Sequence, residues 1–268
     1  MRRAMERMAG GGKNKNPAWR RALASWQLYA LLLPGLAYVF IFSYIPMYGV
    51  QIAFKDYRPS LGVWGSEWVG LKHIARFIGF PNFWKILWNT ASLGLYSLAT
   101  FPCAVVFALL INEIASKKLK KTVQMISYAP HFLSVVVVVS LLSMLFRKDT
   151  GVVNRLAEAL GGARTEFIES AARFGDLYVW SGVWSGIGWG TIIYLAALSG
   201  VSPELIEVAR VDGASRMRII WHINLPSIMP TVITLLIMSC GSILSVGFEK
   251  VFLMQNPLNL DRSQVIST

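Results

Sequence analysis

Five long apolar runs alternate with polar segments along the chain. A helix needs about 20 apolar residues to cross the hydrocarbon core of a bilayer, and each run is long enough for one such span. A membrane β-barrel would show shorter segments of alternating polarity instead. The pattern therefore predicts an all-α polytopic membrane protein. Its spans are expected near residues 28–54, 86–112, 125–146, 179–201 and 228–254.

The composition supports a membrane protein and argues against the common soluble classes. Hydrophobic residues make up 54% of the 268 residues and charged residues only 15%, whereas soluble domains carry about 25% charged residues. So few charges cannot easily cover a solvent-facing surface, which argues against a soluble enzyme and against disorder. Cys103 and Cys240 lie in apolar runs without metal-ligand spacing, and we interpret them as small core residues.

The distribution of Lys and Arg residues predicts which segments face the cytoplasm. The net charge is +12, but the basic residues lie between the apolar runs, which favours topology signals and lipid headgroups over nucleic acid. With the N-terminus inside, segments 1–27, 113–124 and 202–227 are cytoplasmic and carry 14 of the 26 Lys and Arg residues. The bias is weak, but the very short basic loop within 113–124 strengthens it. We expect a basic cytoplasmic tail, 1–27, ahead of a membrane domain, 28–268.

Five spans that start from an inner N-terminus leave the C-terminus outside. The chain ends at Val265 to Thr268, in a polar stretch without a closing basic segment. From this ending we expect that one further C-terminal span is missing.

The polar segment 202–226 predicts two short helices on the cytoplasmic side. Pro203 suits the first position of a helix. Gly213 suits a helix end, because glycine adopts the left-handed backbone conformation without penalty. Ser215 can cap a second helix, which Pro226 would stop. The apolar residues of such a hairpin need a partner or the lipid surface, so an ordinary interfacial hairpin is the alternative from chemistry alone.

This hairpin resembles the cytoplasmic signature loop of the permeases of binding-protein-dependent ABC importers. The family pattern is Glu-Ala-Ala, three residues, Gly, nine residues and Ile-x-Leu-Pro. Both gaps are matched here, and Val208 is the one departure. The matching positions are Glu207, Ala209, Gly213, Ile223, Leu225 and Pro226. The resemblance implies that these residues, with Asp212, form a coupling hairpin that docks into a groove on a separate ATPase subunit.

Further matches resemble the carbohydrate branch of these permeases. They are Leu32 to Gly35, Asn89-Thr90 and the segment 256–268. The subgroup most resembled imports complex oligosaccharides in Gram-positive bacteria, and its core has six spans, which agrees with one missing span. The resemblance implies a sugar or oligosaccharide permease in the cell membrane. An ABC permease for amino acids or peptides stays open as an alternative, and so does a membrane anchor that does not transport.

The resemblance also implies the partners of the chain. They are a second, similar permease, two ATPase subunits that carry the ATP and Mg²⁺, an extracellular solute-binding protein, the lipid bilayer and the sugar. No cofactor is expected in this chain and no nucleic acid among its partners. The residues agree, because the sequence has no phosphate-binding loop and its histidines, His73, His131 and His222, lack ligand spacing. The chain is therefore not expected to hydrolyse ATP or to be an enzyme.

The last predicted span carries candidates for the transport path. Ser239, Ser242, Ser245 and Glu249 follow one another at spacings of three, three and four, which predicts a polar stripe on one helix face. Polar groups are costly in lipid, so the stripe should face protein or water. It either contacts a sugar or bonds to its own or a neighbouring helix.

The fourth predicted span carries an aromatic candidate and a row of glycines. Trp184 either stacks on a sugar ring or belongs to the aromatic belt at the membrane interface. Gly182, Gly186 and Gly190 are each four residues apart, which predicts a smooth face for close helix packing.

Overall fold

The computed structural model describes residues 26–268, which form two compact units, 26–80 and 81–268. Residues 1–25 of the predicted tail lie outside the described residues, and the last two residues of that tail already belong to the first helix. Helices dominate both units, which confirms the predicted all-α membrane fold.

The first unit contains one candidate membrane span, Trp26–Phe54. The span begins as α1 (Trp26–Val39), passes through a π-helical turn (Phe40–Tyr44) and α2 (Ile45–Met47), and ends in a 3-10 stretch (Tyr48–Phe54). The remaining elements are an antiparallel strand pair and two short helices: β1 (Lys55–Asp56), α3 (Gly62–Gly65), β2 (Glu67–Trp68) and α4 (Lys72–Ile78).

The second unit contains the remaining helices. They are α5 (Phe83–Ala99), α6 (Pro102–Asn112), α7 (Lys117–Tyr128), α8 (Val135–Phe146), α9 (Val152–Ala159), α10 (Ala171–Ser199), α11 (Pro203–Val211), α12 (Arg216–Ile219), α13 (Leu225–Gly241), α14 (Phe248–Met254) and α15 (Leu260–Ser263). Three runs in this unit are long and apolar enough to cross a membrane: Phe83–Asn112, Ala171–Ser199 and Arg216–Gly241.

The prediction of the third span as one helix over 125–146 is wrong. α7 continues as a 3-10 turn, Ala129–Phe132, and α8 then starts in a new direction, at 101° to the first helix. Pro130 lacks the N–H that would continue the α-helical hydrogen bonds. The Ser134 hydroxyl accepts a hydrogen bond from the Val137 N–H at 3.3 Å and so caps the start of α8.

The fifth predicted span, 228–254, has both boundaries wrong. The helix runs from Arg216 to Gly241, so the second helix of the hairpin continues directly into the span, and Pro226 does not stop it. A π-helical turn, Ile220–Asn224, lies just before this proline. Its wider backbone accommodates the proline ring, which would otherwise clash with the carbonyl group one turn earlier.

Two clusters of buried apolar side chains lie toward opposite ends of α10. Phe174 and Leu177 belong to the first cluster, and Tyr194 and Leu198 to the second. The first cluster also contains Leu93, Val138, Val139, Leu142, Val246, Val251, Met254 and Val265. The second also contains Val105, Ala108, Leu109, Ile220 and Ile228. About 25 Å of helix separates Leu177 from Tyr194, and this middle part of α10 lines a cavity.

Candidate functional site

The cavity has a volume of about 690 Å³ and is bounded by α5, α6, α10, the end of α13 and α14. This volume lies within the range of about 300–1,000 Å³ that is typical of small-molecule sites. Its wall combines apolar side chains with the hydroxyl groups of Ser97, Thr100, Ser185, Ser239, Ser242 and Ser245. Within residues 26–268, Lys250 is the only charged residue that lines it. Such a wall suits an uncharged polar guest, or one that carries negative charge.

Three of the four residues of the predicted polar stripe line this cavity. They are Ser239, Ser242 and Ser245. The prediction that these residues share one helix face is wrong, because α13 ends at Gly241 and the chain then turns. The Ser239 hydroxyl donates to the Leu235 carbonyl at 2.8 Å, and the Ser242 hydroxyl donates to the Ser239 carbonyl at 2.9 Å. Each oxygen therefore keeps lone pairs that can accept a hydrogen bond from a guest.

The other two predicted path residues do not line the cavity. Trp184 lies on α10 but outside the cavity wall, with 47% of its surface exposed. Glu249 is exposed on α14, next in sequence to Lys250, and is likewise outside the wall. A contact of either residue with cargo is thus not supported by this cavity.

The three evenly spaced glycines of α10 lie in the cavity wall. An added Cβ at Gly186 would meet no heavy atom within 4 Å, so the predicted close packing is wrong there within the described chain. At Gly182 the Cβ would lie 3.4 Å from the Lys250 Nζ, which is a side chain and not a helix backbone. At Gly190 it would lie 3.3 Å from the Cβ of Ala104, and a packing role there stays a prediction.

The tightest helix contacts involve two other glycines, which the sequence analysis missed. An added Cβ at Gly188 would overlap the carbonyl group of Ser127 on α7. An added Cβ at Gly94 on α5 would overlap the carbonyl group of Ile243, in the turn after α13. Neither glycine belongs to an evenly spaced row, so spacing alone gave no signal for them.

Lys250 reaches the cavity wall from α14. Its Nζ donates a hydrogen bond to the Tyr178 carbonyl at 2.7 Å and lies 4.7 Å from the centre of the Tyr178 ring. α14 lies outside the candidate spans, and burial lowers the pKa of Lys250 to about 8. Position 250 falls inside the last span predicted from the sequence, 228–254, so its place at the cavity wall was not predicted.

The hairpin 202–226 shows the predicted turn chemistry. α11 begins at Pro203, and the Ala214 N–H donates to the Ala209 carbonyl at 2.9 Å beyond the end of the helix. Gly213 has a φ of +77°, in the left-handed region that favours glycine. The Ser215 hydroxyl accepts a hydrogen bond from the Arg218 N–H at 3.4 Å and caps the second helix. The chain therefore folds back on itself at Gly213.

The predicted coupling residues divide between the hairpin tip and its base. Glu207, Asp212 and Gly213 are exposed near the tip, and Ala209 is half-buried. The residues at the base, Ile223, Leu225 and Pro226, belong to the continuous helix that becomes the span. The hairpin also exposes apolar side chains, namely Leu205, Val208, Val211 and Met217. An exposed apolar surface on a short hairpin is typical of a docking site.

Asn224, inside the signature loop, is a further residue that the sequence analysis missed. Its side chain is only 1% exposed, and its Nδ2 donates to the Glu113 Oε1 at 3.3 Å. Glu113 follows the last residue of α6. This bond connects the base of the hairpin to the end of the neighbouring span.

Asn89 and Thr90, which carried part of the family resemblance, hold the C-terminal segment. The Asn89 Nδ2 donates to the carbonyl groups of Asp261 and Gln264 at 3.1 and 3.0 Å. The Thr90 Oγ1 accepts a hydrogen bond from the Ile266 N–H at 2.9 Å. The two segments that resemble the family, Asn89-Thr90 and 256–268, are therefore hydrogen-bonded to each other.

The remaining candidate chemistry comprises possible metal ligands and the two cysteines. Within residues 26–268, no three His, Cys, Asp or Glu side chains are grouped so as to hold a metal ion. Cys103 is half-buried, but Cys240 is exposed, which is contrary to its interpretation as a core residue.

Comparisons with known proteins give consistent matches over most of the chain. Residues 101–259 match the family model described as binding-protein-dependent transport system inner membrane component. The chain is 46% identical over 257 residues to Protein LplB of Bacillus subtilis (strain 168), covering 95% of this chain and 80% of LplB. It is 45% identical over 242 residues to the polygalacturonan/rhamnogalacturonan transport system permease protein YteP of the same organism, covering 90% of this chain and 75% of YteP.

Solved structures include a close match to the fold. The crystal structure of a bacterial ABC transporter involved in the import of the acidic polysaccharide alginate superposes with a TM-score of 0.84. Its matched chain is 39% identical, and the match covers 93% of this chain and 84% of that chain. A second structure of the bacterial alginate transporter, in complex with an alginate pentasaccharide-bound periplasmic protein, also gives a TM-score of 0.84, at 38% identity.

Proposed function

We propose that this chain, which belongs to the family of binding-protein-dependent transport system inner membrane components, is the permease subunit of an ABC importer for oligosaccharides. Family membership confirms the resemblance of the chain to permeases of ABC importers and argues against an anchor that does not transport. The observation that carries the cargo class is the cavity between the helices, whose wall includes the hydroxyl groups of six Ser and Thr side chains. The names of two similar proteins support this cargo class. YteP is named for the transport of polygalacturonan, and the matched solved structure is named for the import of alginate.

The chain is proposed to work with a second permease, an ATPase dimer and an extracellular solute-binding protein. The hairpin at 202–226 would dock on the ATPase, and its exposed apolar side chains supply the surface for that contact. ATP and Mg²⁺ would bind to the ATPase and not to this chain. The chain's own contribution would be a cavity whose wall combines apolar and hydroxyl groups, and a hairpin that is continuous with one wall of that cavity.

Ser242 offers a test of the cavity as the transport path. Ser242→Leu places a bulky apolar side chain in the wall, and overpacking of a fitted site costs about 1–3 kcal/mol. We therefore expect uptake to fall by about tenfold or more at a normal protein level. Ser242→Ala removes only one hydroxyl contact and should lower uptake only a few-fold, by about 0.5–1.5 kcal/mol.

The measurement is uptake into vesicles that contain the complete importer. The probe is the labelled oligosaccharide that best stimulates the ATPase of the wild-type complex. ATP hydrolysis without binding protein should stay unchanged in both variants. Normal uptake by Ser242→Leu would show that this part of the cavity wall faces a neighbouring helix and not the cargo.

The proposed docking role requires the hairpin to face the cytoplasm. In a background without Cys103 and Cys240, we expect Ser116→Cys and Ser215→Cys to resist a membrane-impermeant thiol reagent in intact cells. Ser60→Cys, beyond the first span, should react. All three should react after the cells are opened. Labelling of Ser215→Cys from outside would reverse the orientation, place the N-terminus outside and exclude the docking role.

A further inference from the structure

Lys250 is a partly buried cation at the cavity wall, which carries no other charged residue within the described part of the chain. An ammonium group has three N–H donors, and one of them is donated to the Tyr178 carbonyl. The other two have no hydrogen-bond partner within the part of the chain that the structure describes. Lys250 therefore retains donors that a guest in the cavity can use.

No counter-ion neutralises this ammonium group within residues 26–268. The ion pairs formed there involve other cations: Arg58, Lys85, Lys148 and Arg164. The contact with the Tyr178 ring offsets part of the charge. A desolvated charge without an ionised partner is costly, and burial accordingly lowers the pKa of Lys250 to about 8. An anionic group in the cavity would restore the missing interaction.

Gly182 keeps the space around the ammonium group open. An added Cβ at this position would lie 3.4 Å from the Lys250 Nζ, and any longer side chain would crowd it. The neighbouring wall consists of hydroxyl and apolar groups, including Ser185 and Ser245. Hydroxyl groups beside a single cation suit a sugar that carries a carboxylate.

We propose that Lys250 binds a carboxylate of the cargo and gives the importer its preference for acidic oligosaccharides. The inference rests on the proposed function, because it concerns cargo in the same cavity. Lys250 is then a specificity-determining residue, which neutral sugars would not require.

The test compares two probes that share a backbone and differ at their carboxyl groups. They are labelled tetragalacturonate and its methyl ester, whose backbone is the same but whose carboxylates are neutral. Uptake is measured in vesicles that contain the complete importer, with wild-type chain, Lys250→Met or Lys250→Arg. Lys72→Met, which removes an exposed lysine of α4, is the matched control.

We expect Lys250→Met to lower uptake of the acid by about tenfold, the loss typical of a charge-assisted hydrogen bond, and to leave uptake of the ester unchanged. Lys250→Arg should keep the preference for the acid, and Lys72→Met should behave as wild type. An equal loss of both probes in Lys250→Met would show a structural role, and no loss would show no role. Either result overturns this inference and leaves the proposed function intact. The same holds if the wild-type complex imports the ester but not the acid. If the wild-type complex imports neither these probes nor any other oligosaccharide, the proposed function fails and the inference fails with it.

Discussion

Gly188→Ala is expected to destabilise the protein, whereas Gly186→Ala is expected to stabilise it slightly, by up to about 1 kcal/mol, because alanine favours a helix interior over glycine. The two glycines lie about half a turn apart on α10. Replacing either one by alanine changes the helix propensity by the same amount, so the variants differ only in the space available to the new Cβ. An added Cβ at Gly188 would overlap the carbonyl group of Ser127 and approach the Ser127 Cβ to 3.0 Å. An added Cβ at Gly186 meets nothing within 4 Å. The pair therefore separates close helix packing from helix propensity.

The backbone of Ser127 cannot move away from Gly188 as a flexible side chain could. α7 and α10 would have to separate, and overpacking of this kind costs about 1–3 kcal/mol of the free energy of unfolding. Next to Gly188 on α10, the Trp189 ring stacks on the His131 ring, with ring centres 4.6 Å apart. The measurement is thermal unfolding of the detergent-solubilised chain, followed by the loss of its monodisperse chromatographic peak. Equal unfolding temperatures for the two variants would contradict the packing role of Gly188.

The approximate positions of the first, second and fourth spans were predictable from the sequence, because apolar length is a direct requirement of the bilayer. The bend in the third span was not. Pro130 and Ser134 were present as local signals, but proline within a span often causes only a kink. The direction taken after Phe132 depends on packing against α10, and no local pattern encodes it.

The cavity was partly predictable. The serines were predicted to form a stripe on one helix. The helix ends at Gly241, but the serines still line the cavity. Polar groups in an apolar run must face protein or water, and that requirement holds for a turn as well as for a helix. Lys250 could not be recognised in the same way. Its position depends on the turn at 242–247, which brings α14 back beside Tyr178.

Gly213→Val is expected to abolish most of the stimulation of ATP hydrolysis by the loaded binding protein, with insertion into the membrane intact. The φ of +77° costs a residue with a side chain about 1–2 kcal/mol, and a β-branched residue is the least tolerant. Crowding within residues 26–268 is not the reason, because an added Cβ at this position would meet no heavy atom of that part of the chain within 4 Å. The strain should change the angle between α11 and the helix that starts at Arg216.

Gly213→Asn is the matched control for this strain. Asparagine tolerates the left-handed region better than other residues with a side chain, so this variant should keep most of the stimulation despite its larger volume. The measurement is ATP hydrolysis by the complete importer in vesicles, with and without loaded binding protein. The helix that starts at Arg216 runs unbroken to Gly241, near the serines that line the cavity. A changed hairpin angle would therefore also be felt at the cavity end of this helix. Full stimulation in Gly213→Val would show that the backbone at the tip does not transmit coupling. Equal loss in both variants would show that the ATPase groove excludes any side chain at this position, whatever the backbone strain.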